Sequence, residues 1–161
     1  MSLTAAVVVA SNRAAAGVYE DTTGPLIVEA LRDLGFEVSG PEVVSDGEPV
    51  GQAIRLAAST GARLVVTTGG TGLTPTDRTP EVTAELLDYQ VPGLAEAIRQ
   101  YGTAHGVATA ALSRGLAGVH RQTLVVNLPG SRGGVKDGLA VLGPVVVHAV
   151  EQIAGGDHPR S

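Results

Sequence analysis

Apolar residues fall into two patterns along this chain. Leu3 to Ala10, Ala62 to Val66 and Leu124 to Leu128 are short, nearly unbroken apolar runs rich in β-branched residues, which predict strands buried on both faces. Phe36 to Val44 adds another extended segment, interrupted at Gly40-Pro41. Between these runs the apolar positions take helical spacing. Gly24-Pro25 opens a helix carrying Leu26, Ile27, Ala30, Leu31 and Leu34, and Gly35 stops it. Glu48-Pro49 opens the next, with Val50, Ala53, Ile54 and Ala57, and Gly61 ends it. Pro80 to Asp88 and Leu94 to Tyr101 read as two more, divided by Val91-Pro92-Gly93. A last helix runs near Val135 to Ile153, kinked or restarted at Pro144. Alternating strands and helices predict a single α/β domain over residues 1–161, a mostly parallel sheet with helices on both faces in three layers.

Composition narrows function more than fold. With 161 residues, 43% hydrophobic and 17% charged, the chain is long and apolar enough to bury a full core. It has no cysteine, which removes disulfides, thiolate metal sites and cysteine nucleophiles together. His105, His120, His148 and His158 show no metal-ligand spacing, and His148 lies on an apolar helix face where a partly buried, satisfied imidazole is expected. One phenylalanine, three tyrosines, no tryptophan and a net charge of −5 argue against nucleic acid, which needs stacking platforms and a basic field. Leu139 to Val150 is apolar but short and broken by Gly143-Pro144, and the N-terminus has no secretory pattern. The expectation is a cytoplasmic protein with no membrane partner.

Chemistry collects where the strands end. In open parallel sheets ligands sit beyond the carboxyl ends of the strands. Four loops there are polar: Ser11-Asn12-Arg13, Ser45-Asp46-Gly47, Thr68 to Arg78, and Asn127 to Arg132. The third begins Thr68-Gly69-Gly70-Thr71-Gly72, whose uncovered N–H groups could cradle an anion. It is not a P-loop, because Lys136 is the chain's only lysine, and it lacks the third glycine of a dinucleotide fingerprint. A tight connection with spare glycines is the plainer alternative. Thr79-Pro80-Glu81 predicts an N-cap, a first helical residue and an acidic first turn, which leaves Asp77 for a ligand rather than for the helix dipole. Asp46 reads as an Asx-turn or as a second carboxylate that shares a hydrated Mg²⁺ with Asp77. Pro129-Gly130-Ser131 reads as an anion site or a plain cap, and Arg114 as a phosphate fork or a loop tie. Arg13, Arg78 and Arg132 are either counter-charges for an anion or solvated surface groups.

The string Thr67 to Thr83, TTGGTGLTPTDRTPEVT, closely resembles the signature of a molybdenum-cofactor biosynthesis family that includes bacterial Mog and MoaB proteins and the plant and gephyrin G domains. Ala16 to Pro25, Ser45-Asp46, Leu112 to Gly118 and Asn127 to Ser131 match other landmarks, so the resemblance runs along almost the whole chain. It implies a molybdopterin-binding α/β domain, usually trimeric and sometimes hexameric. Active members transfer AMP from Mg-ATP to the terminal phosphate of molybdopterin and release pyrophosphate. By the same resemblance Asp46 and Asp77 are the required, Mg²⁺-holding aspartates. Thr68, Gly69, Gly70, Thr71, Gly72, Ser113, Pro129, Gly130 and Ser131 bind substrate, and the adenylylated pterin passes to a molybdate-insertion protein. The chain departs from the pattern with Thr76 where members often carry a base and Arg78 where they are commonly apolar. A non-catalytic molybdopterin carrier of the MoaB type is the rival reading. A sugar-phosphate or nucleotide-binding protein would explain the glycine loop but not the other matched segments.

Overall fold

The computed structural model describes residues 2–156. In chain order its elements are β1 (Thr4–Ala10), a short α1 (Asn12–Ala15), α2 (Thr23–Asp33), β2 (Glu37–Val44), α3 (Glu48–Ser59), β3 (Leu64–Thr68), α4 (Thr79–Leu86), β4 (Tyr89–Gln90) and α5 (Pro92–Ala104). A 3₁₀ turn (Ala108–Leu112), β5 (Ala117–His120), β6 (Thr123–Leu128), α6 (Arg132–Leu142) and α7 (Val146–Ile153) complete it. The strands form one six-stranded sheet in the order β2-β1-β3-β6-β5-β4. The first four are parallel, and β5 and β4 run antiparallel at the far edge.

The unbroken apolar runs are explained by burial on both faces. Along β3, Leu64 and Val66 join one core while Val65 joins the other; along β6, Leu124, Val126 and Leu128 face one side and Val125 the opposite. This period-two alternation is hidden in sequence because both faces are apolar. Helices α2, α5, α6 and α7 cover one face, with Ile27, Leu31, Ile98, Val135, Leu142 and Val146 buried there. Helices α3 and α4 cover the other through Val50, Ile54 and Leu86. The three-layer, mostly parallel α/β architecture is as the sequence predicts.

Several local expectations change. The sequence reading has no β4 or β5, since one is two residues long and the other carries Gly118; pairing of β5 to β6 and of β4 to β5 makes strands of them. The final helix is two helices, α6 and α7, bent by 61° around residues 143–145, and among the described residues no single helix is long and apolar enough to cross a membrane. Helix α2 starts at Thr23, one residue before Gly24-Pro25, because the Asp21 carboxylate accepts from the N–H groups of Thr23 and Gly24 at 3.1 Å each. His148 is exposed on α7 instead of partly buried, and His158 lies outside the described residues. Because β1, β2, β3 and β6 are parallel, their four following loops leave from one edge of the sheet. The chain turns from β1 outward to β2 and then back past β1 to β3, so the strand order reverses beside β1.

Candidate functional site

At that edge two clefts lie on either side of the glycine-rich loop. The first, about 650 Å³, has an apolar wall of Leu73, Ile98, Val107, Ala110 and Leu112, and a polar floor from Thr71, Gly72, Ser113 and Ser131. The second, about 500 Å³, is polar and sits at the reversal of strand order, bordered by Ser11, Asn12, Arg13, Asp21, Asp46, Thr68 and Gly69. Gly70, Thr74, Asp77 and Gly130 border both. Every residue singled out in sequence for catalysis or substrate binding borders at least one cleft: Thr71, Gly72, Ser113, Pro129 and Ser131 the first, Asp46, Thr68 and Gly69 the second, and Asp77, Gly70 and Gly130 both. Each cleft has the volume of a small-molecule site.

The glycines are not spare. Gly69 has φ +92°, and a Cβ there would collide with the Ala10 carbonyl oxygen at the end of β1. Gly70 has φ +68°, and a Cβ there would strike Thr79 Oγ1 and come within 2.7 Å of Asp46 Oδ1. The loop therefore passes between β1 and the two side chains at a distance only hydrogen permits. The N–H of Gly69 bonds the Leu128 carbonyl at 3.1 Å, and Thr68 Oγ1 donates to the Pro129 carbonyl at 2.6 Å, tying the loop to the turn after β6. By contrast the N–H groups of Gly70, Thr71, Gly72 and Leu73 have no acceptor among the described residues. These four donors can face an anion.

Both carboxylates are held by neighbouring backbone. Asn12 Oδ1 accepts from the Asp46 N–H at 2.9 Å, which pins the end of β2 to the end of β1. Asp46 Oδ1 is buried and has no hydrogen-bond partner among the described residues. Burial pushes the Asp46 carboxyl above the usual aspartate range, the negative charge of Asp77 pushes it further, and the Asn12 backbone N–H works the other way. Asp77 Oδ2 accepts from the Thr74 N–H at 3.1 Å, so the carboxylate closes its own loop as well as bordering both clefts. Thr79 is not the N-cap that the sequence predicts. It is the first residue of α4, its N–H donates to the Gly70 carbonyl at 3.1 Å, and its fully buried hydroxyl has no partner among the described residues. Leaving a buried hydroxyl unpaired costs about 1–3 kcal/mol, so two such oxygens side by side mark a place where the protein forgoes stability.

This donor set fits Mg²⁺. Four carboxylates border the second cleft, Glu20, Asp21, Asp46 and Asp77; Asp21 is spent on the start of α2, one buried oxygen of Asp46 lacks a partner, and no three ligating side chains group as a metal cluster among the described residues. Mg²⁺ commonly takes one or two carboxylates and completes its shell with waters and substrate phosphates.

The remaining candidates divide. Arg114 is a loop tie: it borders neither cleft, and its guanidinium is spent on Glu81 and on the carbonyls of Gly72 and Asp77, each at 2.9 Å. The hydrogen bond from its guanidinium, aided by its charge, holds the Glu81 carboxyl below the usual glutamate range. Arg13 borders the second cleft, Arg132 reaches only the Thr22 carbonyl at 3.5 Å, and Arg78 borders a separate groove with Glu48, Arg55 and Glu85. Asn127 belongs to the core: its amide donates to Thr67 and Thr83 hydroxyls and accepts from the Leu116 N–H, joining β6, β3, α4 and the segment before β5. Ser131 caps α6 by accepting from the Gly134 N–H at 3.0 Å, and Ser113 Oγ accepts from the Gly115 N–H at 3.4 Å, which leaves each hydroxyl proton to donate. Sequence reasoning missed Arg99, which borders the first cleft from α5 and donates to the Ser113 and Gly115 carbonyls at 3.3 and 2.9 Å. A lone arginine in a helix has no sequence signal for that contact. It missed Asp21 as well, although an Asp two residues before Thr23 is a recognisable cap.

Residues 6–148 match a family model described as "probable molybdopterin binding domain". The chain is 42% identical over 156 residues to a molybdenum cofactor biosynthesis bifunctional protein of Synechococcus elongatus, covering 96% of this chain and 48% of that one. It is 36% identical over 153 residues to a molybdopterin adenylyltransferase of Helicobacter pylori, covering 91% and 85%. The chain thus spans about half the length of the bifunctional relative and most of the adenylyltransferase. The structure of the molybdopterin biosynthesis Mog protein from Mycobacterium ulcerans superposes with a TM-score of 0.91 at 50% identity, covering 97% of this chain and 99% of that one. This chain belongs to the molybdopterin-binding domain family of the Mog and MoaB proteins.

Proposed function

We propose that this chain is a molybdopterin adenylyltransferase, transferring AMP from ATP to the terminal phosphate of molybdopterin. The observation that carries the reading is the meeting of two substrate-sized clefts at one carboxylate, Asp77, with Asp46 beside it in the polar cleft. A protein that only carries a pterin needs one cleft and no acidic pair. The adenylyltransferase named among its relatives supports the same reaction.

The residues suit a reaction that needs no side-chain nucleophile. A phosphate monoester with a second pKa near 6 is already largely ionised at neutral pH. Its oxygen forms a bond to the α-phosphorus of ATP, the bond from that phosphorus to the bridging oxygen breaks, and pyrophosphate leaves with the electron pair. No cysteine, serine or histidine has to accept a proton. The task of the protein is to bring two anions together and hold the developing charge. The unpaired N–H groups from Gly70 to Leu73 and the hydroxyl protons of Ser113 and Ser131 supply fixed donors around the first cleft. Gly130, at the junction, keeps the turn after β6 against Gly69, where a Cβ would lie 3.2 Å from the Gly69 Cα. Asp46 and Asp77 would hold Mg²⁺, which supplies positive charge against the triphosphate. Arg13 borders the same cleft and adds a fixed cation.

The family resemblance further supports a cytoplasmic homotrimer or hexamer that passes its product to a molybdate-insertion protein. Val18, Leu56 and Leu73, 60–69% exposed, offer apolar surface for assembly. The test of the function is direct: incubation with molybdopterin, ATP and Mg²⁺ yields adenylylated molybdopterin and pyrophosphate in equal amounts. Tight molybdopterin binding with no product, under conditions where a known adenylyltransferase turns over, would make the chain a carrier.

A further inference from the structure

Arg114 stands just outside the site and touches its most important loop at three places. Its backbone N–H donates to the Thr71 carbonyl at 2.8 Å, Nε to the Gly72 carbonyl at 2.9 Å, and Nη2 to the Asp77 carbonyl at 2.9 Å. Its remaining donors grip both oxygens of Glu81 in the first turn of α4. The arginine thereby fastens both arms of the loop to the helix that follows it.

The geometry has a consequence for the other side of the loop. In a planar trans peptide the C=O and the following N–H point in opposite directions. With the carbonyls of Thr71 and Gly72 turned toward Arg114, the N–H groups of Gly72 and Leu73 turn away from it. Both amides lack a protein acceptor, and both residues border the first cleft, whereas Arg114 borders neither cleft. The Asp77 carbonyl, held by the same guanidinium, fixes the backbone from which the shared carboxylate projects. Removing the guanidinium would free the Gly72 and Asp77 carbonyls to rotate and let the Leu73 amide and Asp77 drift, while the Thr71 carbonyl stays on the Arg114 backbone N–H. A neutral side chain cannot replace it, because three carbonyl and carboxylate partners on two segments require a planar, multi-donor fork.

We propose that Arg114 is a positioning residue for adenylyl transfer: without touching either substrate, it aims the loop amides at the first cleft and sets the Asp77 carboxylate at the junction. The proposal rests on the adenylyltransferase reading, and it differs from a phosphate-binding role for this arginine, which the geometry excludes.

Three full-length variants test it: Arg114→Gln, Arg114→Lys and Glu81→Gln. In folded Arg114→Gln, kcat should fall about 10- to 100-fold, as misplacing reacting groups by an ångström does. The KM for molybdopterin should change less than kcat, by about threefold or less, since Arg114 itself touches no substrate. Arg114→Lys should recover only part of kcat, and Glu81→Gln, which keeps the guanidinium but loosens its anchor, should fall between. Hydrogen exchange supplies a readout independent of turnover: the hydrogen-bonded loop amides of Thr74 and Asp77 should exchange at least about tenfold faster in Arg114→Gln, with β3 and β6 unchanged. The proposal is overturned if kcat stays within about twofold of wild type. It is overturned as well if the loss lies in the molybdopterin KM alone, which would make Arg114 a substrate contact, or if the loop amides exchange at the wild-type rate. A wild-type protein that forms no adenylylated product refutes the adenylyltransferase reading instead, and the exchange rates still decide whether Arg114 holds the loop.

Discussion

Asp46 and Asp77 border the same cleft, yet they have different surroundings and should answer differently to substitution. Asp77 faces both clefts and receives one backbone hydrogen bond from its own loop. Replacing Asp77 by Ala should lower transfer by about 10²- to 10³-fold, the range seen when one preorganised electrostatic group is lost, while molybdopterin binding changes little. Equal loss in a binding titration and in turnover would refute that division. Asp46 is held above the usual aspartate range by burial and by the charge of Asp77. A raised carboxyl binds its proton more tightly in the folded state, so its ionisation costs stability. The cost is absent below the unfolded pKa and complete above the folded one. Metal-free wild type should lose stability relative to Asp46→Asn as pH climbs through that window, measured by thermal melts in chelator. Glu81, held low by Arg114, has the opposite sign: its contribution is present above the unfolded value and disappears as pH falls through the folded one. Arg114 and Glu81 are both substantially exposed, so solvent screening keeps that second effect small.

The connection from β3 to α4 was the most legible element in sequence, and the structure changes how it works. Its glycines, its Asp and the start of the helix could all be read from Thr68 to Glu81. The partner of each could not. Thr79 has the right identity for a cap, but α4 begins one residue earlier than expected and its hydroxyl lies against Gly70. Capping preference is a local rule; the long-range bond from the Thr79 N–H to Gly70 overrides it. Thr79→Val should therefore be neutral or stabilising in a metal-free melt, because it removes an unpaired buried oxygen while keeping the shape. Gly70→Ala should cost about 1–3 kcal/mol in chemical denaturation from the left-handed backbone alone, with the collision against Thr79 and Asp46 added to it. A Gly70→Ala protein as stable as wild type would show that the loop does not need that close approach. Asn127 makes the same point in reverse. It looked like part of a polar rim loop, and the fold turns it inward to satisfy Thr67, Thr83 and the Leu116 N–H.

At the scale of the molecule, both substrates should stabilise the folded chain through separate clefts. A ligand at about 100 times its Kd adds about 2.7 kcal/mol. For a domain of this size that corresponds to a rise in Tm of about 5–10 °C. Molybdopterin and Mg-ATP should each give such a rise, and Asp77→Ala should lose most of the Mg-ATP shift while keeping the molybdopterin shift. A single saturable shift, with one ligand displacing the other, would mean one cleft and not two. The α/β class, the buried strands and the acidic and glycine-rich loops can be read from the residues alone, because they follow from local periodicity, backbone conformational limits and residue chemistry. That the loops form two clefts meeting at Asp77, that Arg114 braces the loop while Arg78 faces elsewhere, and that β4 and β5 exist at all emerges only once the chain is folded. Those outcomes depend on which strands lie side by side and on which of several possible partners reaches a donor first, and neither is encoded within any one segment.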